Sequence, residues 1–172
     1  MKLYQYYTNN PMRSLVFTAS AIAAFFLIVA LIGQYGFNLH PCELCLAQRV
    51  PYAIIGIFGL WAGIRFTEKK LAMAALICAL LFLSDAGIAA YHSGVEMGYI
   101  KGPSACTNND KPGQTLEEMR AAIMHAQLVP CDQPMAYVLG LSMATWNMIG
   151  ALVVTVGMFI MRAKIRKRTQ VV

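Results

Sequence analysis

The sequence predicts an all-α integral membrane protein: a four-transmembrane-helix bundle with a short amphipathic helix in the second outer loop. Three observations point there. Hydrophobic residues make up 58% of the chain and charged residues only 13%, a balance outside that of soluble globular domains. Almost all the apolar residues fall in four blocks. Ten of the 14 Lys and Arg fall in three clusters: Lys2 and Arg13; Arg65, Lys69 and Lys70; and Arg162, Lys164, Arg166, Lys167 and Arg168. Each cluster abuts an apolar block, the arrangement of positive-inside anchors. The net charge of +6 therefore speaks for a membrane and against a nucleic-acid partner, which would need a basic face on a soluble domain. A length of 172 residues fits a single membrane domain, 1–172.

The first block, 14–33, carries no charge and has the ~20 residues needed to cross the hydrocarbon as a helix. It is too long for a signal-peptide core and ends in Gln34-Tyr35-Gly36-Phe37, a poor cleavage site, so a retained helix is expected. The second span, 46–65, closes only if Arg49 lies at its outer edge. Pro51 is then expected in the first turn, where a missing N–H costs little. The third, 71–91, is interrupted by Asp85 alone, and the fourth is 142–161. Tyr35, Tyr52, Tyr91, Tyr99 and Trp146 at one interface, with Trp61 and Phe66 at the other, suit an aromatic belt.

The basic clusters put both termini and the turn between the second and third spans in the cytoplasm. Segments 34–45 and 92–141 are then outer loops. Within the longer loop, Thr115-Leu116-Glu117-Glu118 matches a capping box, and Leu116, Met119, Ile123 and Ala126 follow at helical spacing. This is the short amphipathic helix, lying on the membrane or on the bundle.

Four of the five cysteines fall in those outer loops: Cys42 and Cys45 in the first, Cys106 and Cys131 in the second. Outside a bacterial plasma membrane disulfides persist, so two pairs are expected. A Cys106–Cys131 bridge would close a ~25-residue loop and suits a staple worth ~3 kcal/mol. A Cys42–Cys45 bridge closes almost no loop, and such C-x-x-C pairs more often exchange electrons or bind metal. Nothing else in the chain resembles a zinc motif, so no metal is expected. Cys45 is expected just before a helix N-terminus, where free N–H groups and the helix dipole favour a thiolate. Arg49, one turn on, adds its permanent charge, and Glu43 opposes it.

Pro41-Cys42-Glu43-Leu44-Cys45-Leu46-Ala47-Gln48-Arg49, four spans and a second cysteine pair in the large outer loop together resemble the disulfide bond formation protein B (DsbB) family. Tyr91-His92-Ser93-Gly94-Val95-Glu96, Pro130-Cys131-Asp132 and Leu141-Ser142-Met143-Ala144-Thr145-Trp146-Asn147 extend the resemblance over nearly the whole chain. The resemblance implies a bacterial inner-membrane thiol:quinone oxidoreductase that reoxidises a periplasmic DsbA-like thiol oxidase. By position, Cys106 and Cys131 match the pair that meets DsbA, and Cys42 and Cys45 the quinone-facing pair. Arg49, with Gln48 beside it in the motif, and His92 match quinone-pocket residues, and the acceptor is ubiquinone or menaquinone.

Two residues lie outside that pattern. Asp85 is about 9 Å below the outer end of the third block and is expected to pair with Arg49 or to hydrogen-bond a neighbouring helix. Cys78 is expected to be a small packing residue. Two alternatives remain: a vitamin K epoxide reductase-like enzyme, whose C-x-x-C would come late in the bundle, and a metal-binding membrane protein using the four outer cysteines.

Overall fold

A computed structural model describes residues 10–103 and 130–171. Four helices, α1 (Pro11–Gly36), α2 (Glu43–Arg65), α3 (Glu68–Glu96) and α4 (Met143–Val171), form the expected bundle, and each is long and apolar enough to cross a membrane. A small antiparallel hairpin, β1 (Tyr137–Val138) and β2 (Leu141–Ser142), leads into α4. Its two-residue loop, Leu139-Gly140, has positive φ at both positions (52° and 79°), as a type I′ turn requires. The amphipathic helix expected in the second outer loop lies outside the described residues, as does Cys106.

Helix α3 is the centre of the bundle. Its buried residues Leu71, Ala75, Cys78, Phe82, Asp85, Ala89 and His92 recur at alternating steps of four and three, the spacing of a left-handed helix seam. Without water in the bilayer core, close packing has to come from shape, so small residues dominate the contacts. Cys78 is a fully buried free thiol packed with Ala19, Ala79 and Phe82. Gly59 of α2 meets α1 so closely that an added Cβ would stand 3.1 Å from the Ser20 Cβ, and the Ser20 hydroxyl donates to Gly56 O at 2.6 Å. On the outer faces Ile57 (75% exposed) and Ile64 (62%) stay uncovered, which suits lipid as the solvent and not water.

The two ends of the bundle differ chemically. At one end the Arg13 guanidinium donates to Gly63 O and to Phe66 O, sealing the C-terminus of α2, and Arg162 Nε donates to Ala72 O at 3.0 Å. The other end carries Cys42, Cys45, His92 and the hairpin.

Three local expectations are corrected there. Cys42, in extended conformation, is the N-cap of α2, so Cys45 lies inside the first turn and not ahead of the helix. Pro51 consequently falls in the helix interior. The capping sulfur starts the helix earlier than hydropathy suggests, because a cap depends on side-chain acceptors and not on apolarity. Tyr52 is also not a belt residue: it is 4% exposed, stacked on Phe26 with ring centroids 5.2 Å apart.

Candidate functional site

The N-terminus of α2 brings the two local cysteines together. Their sulfurs stand 3.0 Å apart, both as free thiols, and the Cys42 sulfur accepts from the Cys45 backbone N–H at 3.4 Å. Cys42, just outside the span, is the better thiolate of the two. The Cys45 thiol donating to it pulls it well below the usual thiol range, His92 and the Cys45 N–H add to this, and burial opposes them. The helix-terminus effect expected for Cys45 therefore acts on Cys42.

Behind Cys42 is a small pocket of about 20 Å³, bordered by Cys42, Cys45, His92 and Glu96. His92 Nε2 lies 3.5 Å from the Cys42 sulfur and 3.6 Å from Glu96 Oε1, one turn further along α3. Its Nδ1 is 3.4 Å from the side-chain amide of Gln48, a residue only 7% exposed. The Glu96 side chain is 6% exposed, and its Oε2 is buried without a hydrogen-bond partner among the described residues. Cys131, disulfide-bonded and fully buried, packs in one cluster with Cys42 and Val95.

In front of Cys45 is a cavity of about 470 Å³ between α1, α2 and α4, walled mainly by apolar side chains such as Phe26, Val29 and Val153. Cys45, Gln48, Arg49 and Gln34 meet it, and Arg49 donates to the Gln34 side-chain oxygen across the gap between α1 and α2. Trp146 stands at the hairpin edge, its indole N–H donating to Val138 O at 2.8 Å. Deeper in, Tyr52 and Asn147 line the cavity. The Tyr52 hydroxyl donates to Asn147 Oδ1 at 2.6 Å, and Asn147 Nδ2 donates to Asp85 Oδ2 at 3.1 Å. Asp85, fully buried, is thus held by a neighbouring helix and not by Arg49, one of the two arrangements expected for it.

Of the residues singled out in the sequence, Cys45, Gln48 and Arg49 meet at the open cavity, while His92 sits on the Cys42 side and does not line it. Cys131 joins Cys42. Glu96, Gln34 and Asn147 were not singled out. Glu96 had a signal, since it lies four residues after His92 on the same helix face. Gln34 and Asn147 had none, because their partners are on other helices.

A helical membrane bundle that holds a C-x-x-C pair between a small pocket carrying His92 and Glu96 and a large apolar cavity suits a membrane oxidoreductase of the disulfide-forming class. A family model described as disulfide bond formation protein DsbB matches residues 12–161, and the chain belongs to that family. It is 29% identical over 165 residues to disulfide bond formation protein B of Herminiimonas arsenicoxydans, covering 91% of this chain and 98% of that one. To disulfide bond formation protein B of Cupriavidus metallidurans it is 32% identical over 148 residues, 81% of this chain and 86% of that one. An uncharacterised protein of Rickettsia prowazekii is 28% identical over 134 residues, 77% of this chain and 75% of that one. No solved structure matches the chain. It is a multi-pass membrane protein and an oxidoreductase acting in disulfide bond formation.

Proposed function

We propose that this chain is a thiol:quinone oxidoreductase that reoxidises a periplasmic DsbA-like dithiol oxidase through Cys106/Cys131 and then Cys42/Cys45. The carrying observation is the division of the sulfurs. Disulfide-bonded Cys131 is buried against Cys42, while Cys45 lines the large apolar cavity with Gln48 and Arg49.

The relay balances within the chain's own sulfurs. A partner thiolate attacks Cys106 and Cys131 leaves. Cys131 attacks Cys42 of an oxidised Cys42–Cys45 pair and Cys45 leaves as thiolate. The partner's second thiolate then closes its own disulfide by expelling Cys106, which attacks Cys131 and releases Cys42. Two electrons have moved from the partner to the Cys42/Cys45 pair, and each exchange is an ordinary thiolate attack on a disulfide sulfur.

An apolar cavity of about 470 Å³ with a few convergent polar groups fits a quinone head group, ubiquinone or menaquinone. The quinone, when bound, supplies the two-electron, two-proton acceptor. Arg49 holds a permanent charge beside the cavity for a developing oxyanion, and Gln34 fixes the direction of its planar fork. His92 orients Cys42 and can carry its proton. The basic end of the bundle faces the cytoplasm in this reading, and both cysteine pairs face the periplasm of an inner membrane, in one membrane domain.

The test is a trapped intermediate. With Cys131→Ser, Cys106 should hold the DsbA-like partner as a long-lived mixed disulfide on a non-reducing gel. An adduct that forms in Cys106→Ser and requires Cys131 would reverse the order and sink this relay.

A further inference from the structure

We infer that the reduced protein carries a Zn²⁺-type metal site, built from the Cys42 and Cys45 sulfurs, His92 Nε2 and the Glu96 carboxylate. This goes beyond the thiol:quinone reading and uses a different donor set from four outer cysteines.

Cys42, Cys45 and His92 already place one ligand atom each within 4.8 Å of one another. A tetrahedral ion with bonds of about 2.0 Å to nitrogen and oxygen and about 2.3 Å to sulfur sets ligand–ligand edges of roughly 3.3–3.8 Å. The Cys42 sulfur–His92 Nε2 separation of 3.5 Å and the His92 Nε2–Glu96 Oε1 separation of 3.6 Å are already such edges. The sulfur–sulfur edge, 3.0 Å, is short and has to open by under about 1 Å, a rotamer adjustment in a first helical turn. All four residues border the same pocket of about 20 Å³, enough for a single ion or water.

Glu96 is the independent indication. A carboxylate 6% exposed with its Oε2 buried and unpartnered among the described residues is expensive, and a cation in the adjoining pocket would remove that cost. The outer shell is present as well. Metal on His92 Nε2 requires the proton on Nδ1, and the Gln48 amide at 3.4 Å can turn its oxygen to accept it. The large apolar cavity lies on the other side of Cys45.

Binding takes both sulfurs as thiolates, releases the thiol protons still present and changes no oxidation state. Both sulfurs are then held as metal thiolates, so neither can exchange with Cys131. The site exists only while Cys42 and Cys45 are reduced, and the metal acts as an inhibitory ligand that competes with reoxidation.

The test is a Co²⁺ titration of the full chain in detergent, reduced with a phosphine and desalted, carrying Cys106→Ala and Cys131→Ala so that the local pair and the buried Cys78 are the thiols that remain. We expect one Co²⁺ per chain with thiolate-to-cobalt absorption, displaced by Zn²⁺ and abolished by prior closure of the Cys42–Cys45 disulfide. His92→Ala and Glu96→Gln should each weaken binding tenfold or more with helix content unchanged. If losing Cys131 unfolds the outer loop, the same titration on the otherwise wild-type chain should lose its thiolate absorption with Cys42→Ser. No thiolate absorption in folded, reduced protein would overturn the site, as would affinities indifferent to both His92 and Glu96. The readout is independent of quinone reduction, so failure of the thiol:quinone reading would not register here.

Discussion

The pocket behind Cys42 and the cavity in front of Cys45 share one wall and differ in size and in the charged groups they meet. The pocket is small, about 20 Å³, and is bordered by His92 and Glu96. The cavity holds about 470 Å³, is mainly apolar and, among the described residues, meets its only ionic side chain in Arg49. Two cysteines three residues apart face these two spaces because Cys42 caps the helix while Cys45 has already entered its first turn. The rotation between cap and first turn separates the sulfur packed beside Cys131 from the sulfur that meets the apolar side. A C-x-x-C at a helix start can therefore divide two spaces between its two sulfurs.

The largest expected effect concerns the thiolate character of Cys42. Its pKa is lowered below the ordinary thiol value, so the thiolate persists as pH falls through the usual thiol range and is lost only below the lowered value. In reduced protein with a chelator present, alkylation of Cys42 should slow by no more than a few-fold between pH 8 and pH 6. An ordinary thiol of pKa ~8.5 loses roughly two orders of magnitude over that range. His92→Ala, which removes one of the causes, should steepen the profile. A profile for Cys42 as steep as that of an ordinary thiol would erase the electrostatic half of the comparison.

A smaller effect is expected on the cavity side. Arg49→Ala should raise the KM for quinone by about tenfold, ~1.4 kcal/mol, and leave the KM for the thiol partner nearly unchanged. Arg49→Lys should recover only part, since an ammonium cannot reproduce the fork that Gln34 orients. Equal changes in both KM values would mean that Arg49 serves the fold and not the cavity.

The smallest effect belongs to the cavity floor. Asp85→Leu leaves the Asn147 amide without its acceptor and should cost about 1 kcal/mol of bundle stability in a detergent unfolding titration. Asp85→Asn preserves an acceptor and should cost less than half as much, with turnover kept within about threefold. A tenfold loss of turnover in folded Asp85→Asn protein would make the floor chemical and not structural.

Hydropathy and charge clustering alone determined the class, the four helices and the end of the bundle at which the cysteines meet. These are legible because the cost of an unsatisfied backbone in hydrocarbon acts on every residue of a span and leaves a signal about 20 residues long. The sequence also identified Cys42, Cys45 and Arg49 as neighbours, since they sit within two turns of one helix. Tertiary structure decided what faces them. The start of α2 at Cys42, and with it the interior position of Pro51, depended on one sulfur accepting one N–H. The bonds from Arg49 to Gln34 and from Asn147 to Asp85 each join helices that hydropathy treats separately. Likewise His92 and Glu96 were adjacent on α3 by periodicity, but only the packing of α3 against α2 turned them toward Cys42 and away from the cavity. Which face of an apolar helix meets which neighbour is set by the fit of small residues such as Gly59 against Ser20, a contact between residues far apart in the chain, and local patterning carries no record of it.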